Sequence, residues 1–149
     1  MPPPRSALIN VMCSAAKKAA RKMIRDFGEL EHLQVSKKGP ADFVSAADRI
    51  AEKTIQQELL KARPKYGFLL EEGGEIPGVD TSNRWIVDPL DGTTNFLHGI
   101  PHFAISIALE RDGVPFAGVI YEPIHDEMFW AERGQGAHLN GRRIRVSGR

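Results

Sequence analysis

The stretch Phe103-Ala104-Ile105-Ser106-Ile107-Ala108-Leu109-Glu110-Arg111-Asp112-Gly113-Val114-Pro115-Phe116-Ala117-Gly118-Val119-Ile120-Tyr121 decides the fold. Its apolar residues follow a period of two on both sides of Asp112-Gly113, a pair that tolerates the positive φ of a two-residue hairpin. Two antiparallel strands are therefore expected, Phe103 to Leu109 and Val114 to Tyr121. Shorter apolar runs of the same kind lie outward of it, at Phe68 to Leu70, Trp85 to Val87 and Met128 to Ala131. Asn140-Gly141, flanked by strand-like sequence, marks a second hairpin turn.

Upstream of Gly67 the period is helical. Leu8, Ile9, Met12, Ala16, Ala19, Met23 and Phe27 form one apolar stripe, which predicts a helix from about Ser6 to Gly28. A second helix is expected from an N-cap at Ser45, with Ala47, Ile50, Ala51, Ile55 and Leu59 on one side, until Pro64 stops it. Two helices that pack together, followed by a run of strands, give an α+β order with a largely antiparallel sheet rather than the alternation of a doubly wound fold. There is no internal repeat and no low-complexity segment.

The chain has 149 residues, 42% hydrophobic and 26% charged, as an ordinary globular domain does. A formal charge of +1 gives no field that would make nucleic acid an obligatory partner. The single cysteine, Cys13, excludes an internal disulfide, reads as a small buried apolar residue and fits a reducing cytoplasm. Met1-Pro2-Pro3-Pro4-Arg5 leads into a helix carrying Lys17, Lys18, Arg21, Lys22 and Arg25, with no apolar run of signal-peptide or membrane-span length, so neither export nor membrane anchoring is expected.

Chemistry concentrates in Trp85-Ile86-Val87-Asp88-Pro89-Leu90-Asp91-Gly92-Thr93-Thr94-Asn95, an apolar strand that delivers two carboxylates and then turns through glycine into hydroxyl residues. Pro89 holds Asp88 extended and offers no N–H of its own. Asp88, Asp91 and the Leu90 carbonyl supply oxygen ligands of the kind magnesium prefers. Gly92 permits close approach of an anion, and Thr93 and Thr94 open a short helix whose free N–H groups suit a phosphate. Glu71-Glu72 ends the preceding strand beside Gly73-Gly74, so a third acidic position, Glu71, can converge on the first two. Such carboxylates hold a cation that offsets charge build-up when water attacks a phosphate monoester.

Glu71-Glu72, Asp88 through Phe96, and the upstream Pro40-Ala41-Asp42-Phe43-Val44-Ser45-Ala46-Ala47-Asp48 resemble, in order, the three N-terminal signatures of the inositol monophosphatase family. Gly118-Val119-Ile120-Tyr121 and Gly134-Gln135-Gly136-Ala137 extend the resemblance over roughly Ser6 to Val146. It implies a sugar-phosphatase fold and magnesium-dependent hydrolysis of a phosphate monoester, myo-inositol monophosphate first among substrates. Lithium sensitivity, a homodimer and a cytoplasmic location without membrane contact are implied as well. By the resemblance, Glu71, Asp88, Leu90 and Asp91 are metal ligands, and Thr93 with Glu71 positions the attacking water. Asp48 pairs with Thr93, the Gly92 and Thr93 amides with Thr94 hold the phosphate, Asp91 also meets substrate hydroxyls, and Lys37 lies near a water at the rim of the metal site.

Two departures stand out. Leu70 and Gly73 replace a glycine and a serine that flank the paired glutamates in the family. The family is also about twice as long, so residues 1–149 are expected to form an N-terminal metal-binding phosphatase domain, without the C-terminal α/β part that supplies a further metal-binding aspartate and much of the substrate pocket.

Each feature has a plainer structural reading. Asp91 can serve as a helix cap, Glu72 as a solvated strand end, and Asp48 can complete a capping box with Ser45. Lys37 and Lys38 can be a solvated pair. Gly99 and Pro101 argue against His98 and His102 as helical zinc ligands. Arg142, Arg143, Arg145 and Arg149 read as a solvated hairpin strand and Met128-Phe129-Trp130 as core. A haloacid-dehalogenase-type phosphatase would space its aspartates two apart on a parallel sheet, which the spacing of three here disfavours. Fructose 1,6-bisphosphatase and phosphoadenosine phosphatase activities remain alternatives, as does a non-catalytic regulatory role with RNA polymerase, which members of the resembling family can have.

Overall fold

A computed structural model describes residues 4–33 and 39–148. Helix α1 (Ala7–Leu33) starts where expected, the Ser6 hydroxyl accepting the Ile9 amide hydrogen at 3.1 Å. It does not end at Gly28. Glycine costs a helix interior only about 1 kcal/mol, and burial of Leu30 just beyond it holds the chain helical.

Helix α2 (Pro40–Ala62) likewise corrects the expected boundary. Gly39 is the N-cap and Pro40 occupies the first turn, where a missing N–H costs nothing. Ser45 is therefore interior, and its hydroxyl accepts from Arg49 Nη1 at 2.8 Å instead of capping. With Ser45 inside the helix there is no capping box for Asp48 to complete.

The strands are β1 (Tyr66–Leu70), β2 (Gly74–Ile76), β3 (Asp80–Asp91), β4 (Ala104–Arg111), β5 (Val114–Glu122), β6 (Glu127–Glu132), β7 (Gly136–Leu139) and β8 (Arg142–Ile144). A short helix, α3 (Thr93–Leu97), follows β3. The strands form one sheet in the order β2-β1-β3-β4-β5-β6-β7-β8. Pairing is antiparallel except between β1 and β3, which run parallel with Leu70 opposite Val87. The α+β architecture and the largely antiparallel sheet thus agree with the sequence, and Asp112 and Asn140 take positive φ at the two expected turns.

Helix α1 crosses β4, β5 and β6, and α2 lies over β3. The strand alternation follows from this: Ile105, Ile107 and Leu109 are fully buried beneath the helices. Ser106, Ala108, Gly118 and Ile120 border a 330 Å³ hollow on the opposite face. Phe27 on α1 packs on Phe96 and Phe103 at ring separations of 5.4 and 5.0 Å, fixing α3 and the start of β4 against the helix. Among the described residues no helix is long and apolar enough to cross a membrane.

Candidate metal and phosphate site

Strand β3 delivers its carboxylates through a bulge. Asp88 pairs with Ser106 and Asp91 with Ala104, so one extra residue is accommodated across Pro89-Leu90. Proline's missing donor is tolerated at such an irregularity. Leu90 is 1% exposed, its side chain anchored in the core, so the only polar group it offers is backbone.

The parallel register of β1 and β3 places Glu71, one step beyond Leu70, beside Asp88, one step beyond Val87. The Glu71 carboxyl hydrogen-bonds with Asp88, and this bond, burial and the charges of Asp88, Asp48 and Glu72 push its pKa up to about 7. Asp48, on the buried side of α2 and 6% exposed, is raised to about 6 by burial and by Glu72, Asp88 and Glu52. Four acidic side chains from α2, the β1–β2 turn and β3 therefore crowd one corner of the molecule. Asp48 Oδ1 and Asp88 Oδ1 are buried without a hydrogen-bond partner. Unpartnered carboxylate oxygens held apart from water are a donor set suited to a hard cation.

Glu52, one helical turn beyond Asp48, has no part in the sequence motifs. It is 6% exposed and accepts hydrogen bonds from the amides of Glu72 at 3.0 Å and Gly73 at 3.2 Å. Its spacing of four from Asp48 is the available signal, since that step puts both carboxylates on one helix face. The turn is tight rather than loose: β2 returns with Gly74 opposite Leu70. The two departures from the family pattern complement each other, because a Cβ on Gly73 would lie 3.0 Å from Leu70 Cδ1. Glycine at this position leaves room for the leucine, whose side chain would otherwise have to shift by a few tenths of an ångström.

After Asp91 the chain turns at Gly92, whose φ of 93° is left-handed and where a Cβ would stand 3.1 Å from the His102 carbonyl oxygen. Thr93 then opens α3, which has no side-chain cap. Asn95 Nδ2 donates to the His102 carbonyl at 2.8 Å and ties the two ends of the loop together. Both strain and the close backbone contact make Gly92→Ala costly, by about 2 kcal/mol. Chemical denaturation should show that loss, and Asn95→Ala should cost less.

The sequence-derived residues do not all meet. Glu71, Asp88 and Asp48 converge with Glu72, whereas Asp91 faces a 590 Å³ cavity with Gly92, Asn95, His102 and Glu122. Helices α2 and α3 are in contact, yet among the described residues no hydrogen bond joins Thr93 to Asp48. Lys37 lies outside the described residues. Among the described residues, Glu122, His125 and Glu127 form a trio whose possible ligand atoms all lie within 4.8 Å of one another, a spacing not reached by Glu71, Asp88 and Asp91. No motif in the sequence points to this second trio. Glu122 already accepts from the Ile124 and His125 amides at 2.8 and 3.0 Å and contacts His125 Nδ1 at 2.7 Å, so it shapes the β5–β6 turn.

An α+β scaffold with carboxylates gathered at parallel strand ends, next to a glycine turn and an uncapped helix, defines a class of anion- and cation-handling sites. The sequence profile of the inositol monophosphatase family matches residues 5–149, and the chain belongs to that family. It is 65% identical over 145 residues to an inositol-1-monophosphatase of Rhizobium meliloti (strain 1021), covering 97% of this chain and 54% of the relative. It is 45% identical over 144 residues to Nus factor SuhB of Pseudomonas aeruginosa, covering 95% and 53%. The crystal structure of the extragenic suppressor protein suhB from Bartonella henselae superposes with a TM-score of 0.87 at 67% identity, over 97% of this chain and 56% of that one. The chain spans about half the length of the relatives it matches.

Proposed function

We propose that this chain carries the metal-holding half of a magnesium-dependent phosphomonoesterase acting on myo-inositol monophosphate. The observation that carries the reading is the pair of buried, unpartnered oxygens on Asp48 and Asp88, beside Glu71, with Asp88 just ahead of the Gly92 turn in sequence. Glu71, Asp88, the Leu90 carbonyl and Asp91 would hold the cation. A divalent ion there supplies charge neutralisation for the phosphoryl oxygens and lowers the pKa of water. The amides of Gly92 and Thr93, with Thr94, hold the phosphate, and Asp91 meets the hydroxyls of the leaving alcohol. Glu71 and the Thr93 hydroxyl, supported by Asp48, orient the attacking water and take its proton. No covalent intermediate is required. A cytoplasmic, lithium-sensitive homodimer completes the reading, with residues 1–149 as an N-terminal domain and further substrate contacts from chain beyond it.

The crowding has a pH signature. Glu71 and Asp48 titrate higher when folded than unfolded, so the stability they contribute without metal is present in acid and lost as pH rises through about 6 to 7. A cation that replaces the shared protons reverses this. Magnesium should therefore raise Tm more at pH 8 than at pH 5, read by calorimetry with EDTA as reference. An equal effect at both pH values would remove these carboxylates from the site.

The direct test is phosphate release from inositol 1-phosphate, fructose 1,6-bisphosphate and adenosine 3',5'-bisphosphate by the chain extended to its relatives' length, with Asp91→Asn as control. Magnesium-dependent release lost in the variant supports the assignment and ranks the substrates. A second reading, regulation of transcription with RNA polymerase, is favoured by the similarity to proteins named Nus factor SuhB. Retained polymerase binding by an Asp91→Asn protein, with no turnover by the unsubstituted one, would put that role first.

A further inference from the structure

Helix α2 buries Val44, Ala51, Ile55 and Leu59 on the same face as Asp48 and Glu52. Two carboxylates thus take places that the helical period gives to apolar side chains. Asp48 belongs to the acidic corner, whereas Glu52 has stood so far only as a support for the β1–β2 turn. Among the described residues no cation pairs with Glu52. A carboxylate in that position is costly unless hydrogen bonds hold it, and here each oxygen takes one of two consecutive amides, Glu72 on Oε1 and Gly73 on Oε2.

The first of those amides matters most to Glu71. It belongs to the peptide unit that follows the Glu71 Cα, so holding that rigid plane restricts the ψ of Glu71 and with it the direction in which the side chain leaves the backbone. On the other side of Glu71, Leu70 is buried and paired with Val87. Pairing of β1 with β2 resumes only at Gly74, and the three residues between are exposed. Glu52 ties this exposed turn to α2. One helical turn before it on the same face stands Asp48, whose charge acts on Glu71. Helix α2 therefore carries Asp48 directly and holds Glu71 by its backbone.

We propose that Glu52 is a positioning residue for the cation site: by clamping the peptide unit after Glu71 to the helix that carries Asp48, it sets the separation of those two carboxylates and so the affinity of the strand ends for a divalent cation. Its own oxygens are occupied by the two amides, so it acts through Glu71 and not as a ligand. The inference rests on the reading of Glu71 and Asp88 as ligands and adds the residue that aims one of them. Losing a hydrogen bond that orients a ligand typically costs roughly 10- to 100-fold in metal affinity.

The test compares Glu52→Asp with Glu52→Gln in the chain extended to its relatives' length. Aspartate keeps the charge but is one methylene too short to grip the turn, while glutamine sheds the charge and keeps one acceptor. Mn²⁺ affinity, read by EPR, should fall about tenfold or more in Glu52→Asp, and the Glu72 and Gly73 amides should exchange their hydrogens faster by NMR. Ile55→Val, which costs stability in the same buried stripe without touching the turn, should bind Mn²⁺ as the unsubstituted chain does. If Glu52→Gln binds more weakly and Glu52→Asp does not, the charge acts through space and the proposal is overturned. Equal exchange of the two amides with and without the aspartate substitution would also overturn it, because the clamp would be absent. No Mn²⁺ binding by the unsubstituted chain, or binding untouched by Asp88→Asn, would sink the reading of the site itself before any Glu52 variant is compared, and this proposal with it.

Discussion

Replacing Asp88 by asparagine should move activity and stability in opposite directions. If the proposed site is right, magnesium-dependent phosphate release by the chain extended to its relatives' length falls about a thousandfold, because a proposed ligand charge is removed where transition-state charge must be offset. The metal-free chain should become more stable at pH 8 by about 1 kcal/mol, since one member of a crowded group of like charges is gone. The physical cause is already visible in Glu71, whose carboxyl is held up to about 7 chiefly by its bond to Asp88. Steady-state kinetics and thermal denaturation in EDTA read the two halves separately. A variant that loses activity and stability together would make Asp88 a structural residue.

Glu52→Ala should be the most damaging single change to the scaffold of the site. It removes the buried acceptor of the Glu72 and Gly73 amides at an exposed turn, and each lost bond to a charged acceptor costs up to roughly 1.5 to 3 kcal/mol, less what water at the turn restores. A total near ~3 kcal/mol lowers Tm by about 10 °C for a domain of this size. Relief of repulsion on Asp48 returns a part of that, because Glu52 is one of the charges that raise it. Glu52→Gln keeps one acceptor and sheds the charge, so it should lose less than half as much. Differential scanning calorimetry of both variants checks the order, and an alanine variant as stable as the glutamine one would remove the turn-holding role.

The parts of the molecule that follow one local rule could be read from residues alone. The hairpin at Asp112-Gly113 is such a case, since period and turn chemistry agree and nothing distant competes. Helix boundaries were harder. Gly28 and Ser45 carry strong local stop and start signals, and both were overridden by burial of Leu30 beyond the first and by Pro40 preceding the second. Strand β2 has three residues, two of them exposed, and exists because β1 offers an edge to pair with, which no sequence period records.

The site divides along the same line. Asp88, Leu90 and Asp91 announce themselves because a proline, a glycine and paired carboxylates coincide within a few residues. Glu52 does not, since its role depends on a distant turn meeting α2. The crowding of Asp48 against Glu71 and Asp88 likewise arises only from the parallel pairing of β1 with β3 and the placement of α2 over them. The trio at Glu122, His125 and Glu127 is a product of the β5–β6 turn and has no spacing that marks it beforehand.

The most direct test of the central claim is the location of Mn²⁺, as a magnesium surrogate, by anomalous diffraction from soaked crystals. The account predicts a peak bounded by Glu71, Asp88, the Leu90 carbonyl and Asp91, with Asp48 drawn toward it and the peak lost in Asp88→Asn. Manganese found instead between Glu122, His125 and Glu127, with nothing at the end of β3, would contradict it.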